Sequence, residues 1–368
     1  MKQKAQNSIT NLVNIILPLV LVLEYVSAVF AGISFGVNIV AALLIMVLYL
    51  RLLLERNCRK SDIFFMLATL IIIIASSDPT RISILCVYVL FSLMKYYDKR
   101  TLKNCLITTA VCLFVIVLSY LLFGFNRQYD TEIYRPLSGV TVSRRCFGFT
   151  HPNQFTIYLL AFTILVYLAT NKFWLHTIVT ALDIIFFNAT QSRTVLYVIL
   201  FIFIAMVVIR VTKLRNLKRR VAMPIVFVLF IFMSIVLSVY FAGTKLDVIL
   251  TGRLALNKQY LASGVSLFGT DEFDNTYFDN SYIHMLVTKG LVYSIIYSVF
   301  LIIVLCKKKF SWASAVLLMA IFLEAFMEVI FLKYSFMIII PLICKFRIEF
   351  NHDTQKDPLL LVRNGSKI

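Results

Sequence analysis

Apolar runs of about 20 residues recur along the whole sequence, and such a chain has few options besides helices in a bilayer. A hydrocarbon core about 30 Å thick takes about 20 residues of helix to cross, and inside it every backbone polar group must be satisfied within the segment. Twelve runs can be placed, at about 10–30, 35–54, 62–77, 80–97, 103–123, 152–171, 173–190, 193–210, 221–242, 282–305, 311–331 and 334–346. The third and fourth are short and separated only by Ser77-Asp78-Pro79, which suits a tight or re-entrant hairpin. The last is also short. The first run follows Lys2 and Lys4 and ends near the small residues Val26-Ser27-Ala28. It is longer than a signal-peptide core and more spans follow, so it reads as a retained anchor. The expected fold is all-α: a polytopic helical bundle of about twelve transmembrane helices, forming one integral membrane domain over residues 1–368.

Charge sets the expected orientation. The formal net charge is +18, yet only 15% of residues are charged, against about 25% in a soluble domain. With both termini cytoplasmic, 25 of the 36 Lys and Arg fall inside and 11 outside, as short cytoplasmic loops prefer. The basic run 210–220 is then a topology determinant that touches anionic lipid heads. It lacks the interleaved aromatics of a single-strand nucleic-acid platform, so no nucleic-acid partner is expected.

The minority outside is chemically different. Seven of its 11 basic residues are Arg, against ten of 25 inside. A guanidinium pairs with phosphate through a planar fork, which an ammonium lacks. These arginines concentrate in two long polar loops, 124–150 and 243–281, each far above the common connection length of about 4–6 residues. Arg144, Arg145, Arg193 and Arg253 as a group suit an anion held near the membrane, such as a lipid pyrophosphate; the plain alternative is solvated loop charge.

Four constellations can carry chemistry. In Ser143–Phe155 (SRRCFGFTHPNQF), Arg144 and Arg145 precede Thr150-His151-Pro152-Asn153, which opens an apolar helix. Pro suits a first helical turn, and helix N-termini favour anions. His151 at that boundary can transfer protons or simply start the helix. Asn188-Ala-Thr-Gln-Ser-Arg193-Thr194 is a polar knot between two spans, with Arg193 at the boundary itself. In the larger loop Arg253 is followed by Gly264 and Gly269, and Asp279-Asn280-Ser281-Tyr282 leads into a span, with His284 four residues beyond Asn280. Asp271, Glu272 and Asp274 read as solvated acids. Finally Glu24, Asp183, Glu324 and Glu328 fall within apolar runs, where ionisable groups form relays or pair with boundary arginines.

Seven scattered cysteines, four dispersed histidines and the lack of CxxC, HExxH or Walker motifs give no metal, cofactor or nucleotide site.

Taken together, the FGFTHPNQF stretch, the ATQSRT stretch, LTGR with its downstream glycines, and DNSY before Lys289-Gly290-Leu291 resemble the Wzy-type polysaccharide polymerases, relatives of the O-antigen ligases. The resemblance implies a membrane glycosyltransferase of the bacterial cytoplasmic membrane, with its site on the extracytoplasmic face. Such an enzyme transfers a glycan from undecaprenyl pyrophosphate to the next lipid-linked repeat unit without cofactor or metal. It implies membrane lipids, a flippase and chain-length regulators as partners. Arg144, Arg145, Arg193 and Arg253 would hold pyrophosphate, with Asn153, Asn280 and Tyr282 beside the substrate. In ligase-like relatives the residue before Asn in the last motif is often His; here it is Asp279, which leaves Asp279, His284 and His151 as candidates for the base. A ligase acting on another acceptor, or a non-enzymatic flippase of lipid-linked oligosaccharide, are the competing readings.

Overall fold

The computed structural model describes residues 2–55, 59–76, 78–135, 139–214, 216–217, 219–270, 279–346 and 348. Asp271, Glu272 and Asp274, together with Arg56, Arg215, Lys218 and the tail after 348, lie outside the described residues.

Seven described helices are long and apolar enough to cross a bilayer: α1 (Lys2–Val29), α2 (Ser34–Glu55), α5 (Lys99–Phe123), α6 (Pro152–Ala169), α7 (Phe173–Thr190), α8 (Arg193–Thr212) and α9 (Ala222–Tyr240). Between them, α3 (Lys60–Ser76) and α4 (Ser83–Ser92) meet at a tight turn through Asp78 and Pro79. Three further apolar helices are shorter: α13 (Leu291–Lys307), α14 (Trp312–Met327) and α15 (Tyr334–Lys345). The chain is thus mostly helical and built for a membrane; every apolar run named above coincides with a helix or a run of helical turns.

The burial pattern is that of a protein solvated by hydrocarbon. Leu54, Phe123 and Val211 are 81%, 83% and 76% exposed, whereas Glu24, Asp183 and Glu324 are 4%, 3% and 0% exposed. A soluble protein inverts this order. Helices α6, α14 and α15 are among the most buried and form the centre, with α14 packed on α8 and α9 and with α15 reaching α1 and α6.

Local chemistry fixes the helix ends. Asp98 accepts from Thr101 N at 2.8 Å while Asp98 N donates to the Thr101 hydroxyl at 3.2 Å, a capping box that starts α5. His151 and Asn280 cap α6 and α12 (Ser281–His284) through side-chain acceptors.

Three local features depart from a purely helical reading. First, loop 124–150 contains an antiparallel hairpin, β1 (Thr131–Arg135) with β2 (Val140–Arg144), in the register Thr131↔Arg144. The sequence Val140-Thr-Val-Ser-Arg alternates β-branched and polar residues, which suits a strand. Second, the run at 282–305 is broken. After α12 comes a π-helical turn over Met285–Lys289, and Gly290 at φ +92° redirects the chain into α13. The break makes room for the end of the larger loop: Leu291 N and Val292 N donate to Ser266 O and Leu267 O at 3.0 and 3.1 Å, and a Cβ on Gly290 would stand 2.3 Å from Gly269 N. Third, the larger loop has its own helices, α10 (Lys245–Ile249) and α11 (Arg253–Ala262). Buried Asp247 joins them, accepting from Gly243 N at 2.9 Å, Leu254 N at 2.8 Å and Ala255 N at 3.2 Å. That carboxylate satisfies N–H groups at the start of α11 and so fixes Arg253 as its first residue.

Candidate functional site

The two long loops come together at one end of the bundle. Arg253 at the start of α11 pairs with Glu328, just past α14, at 2.9 Å and with Asp279 at 3.3 Å, and it also donates to Met327 O. Glu328 Oε1 accepts from Asn153 Nδ2 at 2.8 Å, and Asn153 Oδ1 accepts from Arg144. Arg144 Nε donates to Thr190 O, the last residue of α7, at 2.9 Å. Five side chains from four segments thus form a line: Arg144, Asn153, Glu328, Arg253, Asp279. Glu328 reaches it because α14 stops there; Glu328 is extended, at φ −147° and ψ 158°.

Electrostatics divide the roles. Burial opposes the Arg253 charge, but Glu328 and Asp279 outweigh it, so its pKa rises above the usual arginine value. Burial pushes the Asp279 carboxyl up, against the pull of Arg253 and Arg144. His151 sits beside the line with Nδ1 accepting from Asn153 N at 3.1 Å. Its burial, and the nearby Arg144 and Arg253, push its pKa down to about 4, so the ring is neutral at pH 7.

The remaining candidates fall in different places. Arg145 follows Arg144 but projects the other way: its side chain is exposed, and its backbone N donates to Ala189 O at 2.9 Å. Arg193, the first residue of α8, is partly exposed next to the same corner. Among the described residues neither side chain takes part in a hydrogen bond or ion pair.

Asn280 is fully buried. Its oxygen accepts from Tyr282 N and Ile283 N at 2.9 and 3.1 Å, and its amide donates to Ser234 Oγ and Phe326 O at 3.2 and 2.9 Å. All four hydrogen-bonding positions of that side chain are taken by the fold. Tyr282 donates its hydroxyl to Phe322 O at 3.1 Å and stacks edge-on against Phe331. Both hold α12 in place rather than facing a ligand. His284 lines a separate cavity with Lys289 and Lys333.

The buried acids also separate. Asp183 accepts from Thr163 at 2.9 Å and Glu24 from Ser335 N at 2.6 Å, while the carboxylate of Glu324 has no hydrogen-bond partner among the described residues.

Two participants were hard to foresee. Asp78 takes Arg81 Nε at 3.0 Å and Lys289 Nζ at 3.3 Å, tying the α3–α4 turn to the π turn. Lys333, in the short link between α14 and α15, lies over the Tyr158 ring at 5.4 Å. The available signal was weak: Lys333 is a lone cation between two apolar runs.

No family model matches the sequence, and no curated protein and no solved structure is similar to it.

Proposed function

We propose that the chain is a polysaccharide polymerase that joins undecaprenyl-pyrophosphate-linked oligosaccharide repeat units at the outer face of a bacterial cytoplasmic membrane. The observation that carries this reading is the line from Arg144 to Asp279, in which arginines from both long loops flank one carboxylate, with Arg145 and Arg193 close by. A membrane topology of twelve spans with cytoplasmic termini puts that line on the outer side and keeps 25 of 36 basic residues inside.

The reaction needs little machinery. The acceptor hydroxyl oxygen attacks the anomeric carbon of the donor glycan. The bond from that carbon to the pyrophosphate oxygen breaks, and undecaprenyl pyrophosphate leaves with the electron pair. The hydroxyl proton passes to a base. Charge growing on the leaving oxygens is neutralised by Arg144 and Arg253, reinforced by Arg145 and Arg193; one such donor is commonly worth about 2.7–4 kcal/mol of barrier.

Asp279 is the preferred base. It is 27% exposed at its side chain and is held by Arg253. A pyrophosphate that takes over the Arg253 fork releases Asp279, so substrate binding would itself unmask the proton acceptor. His151 has one ring nitrogen committed to the α6 cap, and His284 faces another cavity.

The test is glycan length in cells carrying Arg253→Ala beside Arg253→Lys, with protein level checked. Chains collapsed to single repeat units, with those units still reaching the outside, support a polymerase over a flippase. Normal length in both variants overturns the reading.

A further inference from the structure

The arginine line already holds as many carboxyls as guanidiniums. Arg144 and Arg253 stand in it with Glu328 and Asp279, while Arg145 and Arg193 add charge only at its more exposed edge. A pyrophosphate entering the line must therefore displace or neutralise a carboxylate to reach the guanidiniums.

The two carboxyls differ in how they can yield. Asp279 has 27% of its side chain exposed and can turn to water when Arg253 is drawn away. Glu328 cannot. Its side chain is 7% exposed, and its backbone is held on both sides: N donates to Glu324 O at 2.8 Å, and O accepts from Ser281 Oγ at 2.7 Å. An ionised carboxylate left there without its guanidinium, facing an incoming anion, would be costly.

The groups around it offer no substitute cation. Glu328 faces Arg253 from α11, Arg144 from β2, Asp279 from the approach to α12, and Lys333 from the link between α14 and α15; Lys333 also faces Glu24. Glu324, one turn back on α14, is fully buried, and neither of its oxygens has a hydrogen-bond partner among the described residues. His151, beside Asn153, is neutral.

The geometry also shows where a proton can sit. Asn153 Nδ2 and Arg253 Nη2 both donate to Oε1 of Glu328, at 2.8 and 2.9 Å. Oε2 accepts no hydrogen bond among the described residues. A proton on Oε2 turns an atom that repels phosphate oxygens into one that donates to them.

We propose that Glu328 is a proton-carrying ligand of the pyrophosphate. It takes a proton from solvent as the anion enters, donates it through Oε2 in a hydrogen bond to a phosphate oxygen, and returns it when the pyrophosphate leaves. The proposal rests on reading the line as a pyrophosphate site, and it leaves Asp279 ionised as the base.

The test is calorimetric titration of the full chain in detergent with geranyl pyrophosphate at pH 8, in buffers of different ionisation heat. A phosphate group loses its last proton near pH 6, so the ligand arrives ionised and any proton taken from the buffer goes to the protein. The wild type should take up about one proton per pyrophosphate. Because that proton is bound only with the anion, affinity should fall as pH rises, by up to about tenfold per unit. Glu328→Gln keeps an oxygen for Asn153 and Arg253 and should bind with no uptake; uptake retained in that variant overturns the assignment. Glu324→Gln and His151→Asn should still take up the proton, and its loss in either one overturns the assignment too. Binding by the wild type without uptake, a result that needs no variant, sinks the proposal and leaves the pyrophosphate site standing. No binding by the wild type removes the pyrophosphate reading itself, and the proposal with it.

Discussion

Two arginine networks sit at the same end of the bundle, and they differ in what they leave open. Arg81 is 1% exposed; it holds Asp78 at 3.0 Å, donates to Thr288 O at 2.5 Å, and is packed against Gly269. Arg253 has 13% of its side chain exposed and Asp279 27%, and the neighbouring Arg145 and Arg193 pair with no carboxylate among the described residues. The first network buries its arginine completely and staples the α3–α4 turn to the break at Gly290. The second is the same chemistry with a face left over. Buried ion pairs contribute little net stability but are costly to break, so a closed network marks architecture and an open one marks a site.

This contrast can be broken most sharply by matched substitutions. Arg81→Ala leaves the buried Asp78 short of a partner and should cost about 3–5 kcal/mol of stability, read as lost thermal stability and yield in detergent. Arg253→Ala should cost less stability, since Glu328 keeps Asn153 and Asp279 reaches solvent, and should cut polymer output about 100-fold or more. If the two variants exchange phenotypes, the division into staple and site is wrong.

Gly269 sharpens the first half. Its φ is +89° and a Cβ there would stand 2.1 Å from Thr288 O and 2.7 Å from Arg81 Nη1. Gly269→Ala should therefore destabilise by about 1–3 kcal/mol or more through strain and displacement of Arg81, again read by thermal unfolding. A neutral result would mean the larger loop does not close on Arg81.

His151 sharpens the second half through pH. Its pKa falls from 6.5 to about 4 in the fold, so between those values the unfolded chain binds the proton first. Stability should then rise with pH from about 4 to 6.5 and level off above. His151→Asn, which can still cap α6, should flatten that slope in melting curves taken across the window. The smallest effect belongs to Arg145→Ala: an exposed side chain should change stability by less than about 0.5 kcal/mol, while weakening substrate capture in a salt-sensitive way.

Much of the architecture could be read from the chain because the bilayer permits so few solutions. The apolar segments, the two polar loops and Arg253 with its glycines stand out from hydropathy and charge alone. The partners do not. That Glu328 meets Arg253 follows from α14 ending at Met327, which depends on packing between helices and not on local pattern. Asn280 and Tyr282 carry the right chemistry for a ligand, but a helix that begins inside a bundle needs its own cap and its own anchor, and those needs take precedence. Adjacent Arg144 and Arg145 look equivalent in sequence, and only the hairpin makes them unlike.

That hairpin register carries a consequence of its own. Arg144 is the last residue of β2, opposite Thr131, and Arg145 the first beyond it, so the end of the strand leaves one arginine buried and the other open. Removing a single residue from within Val140–Ser143 would break the register on one side of the gap: either Arg144 leaves its place opposite Thr131, or the residues nearer the turn all change partners and faces. A loop of this kind tolerates replacement far better than it tolerates a change in count, and relatives that vary freely in this stretch would be expected to vary by two residues more readily than by one.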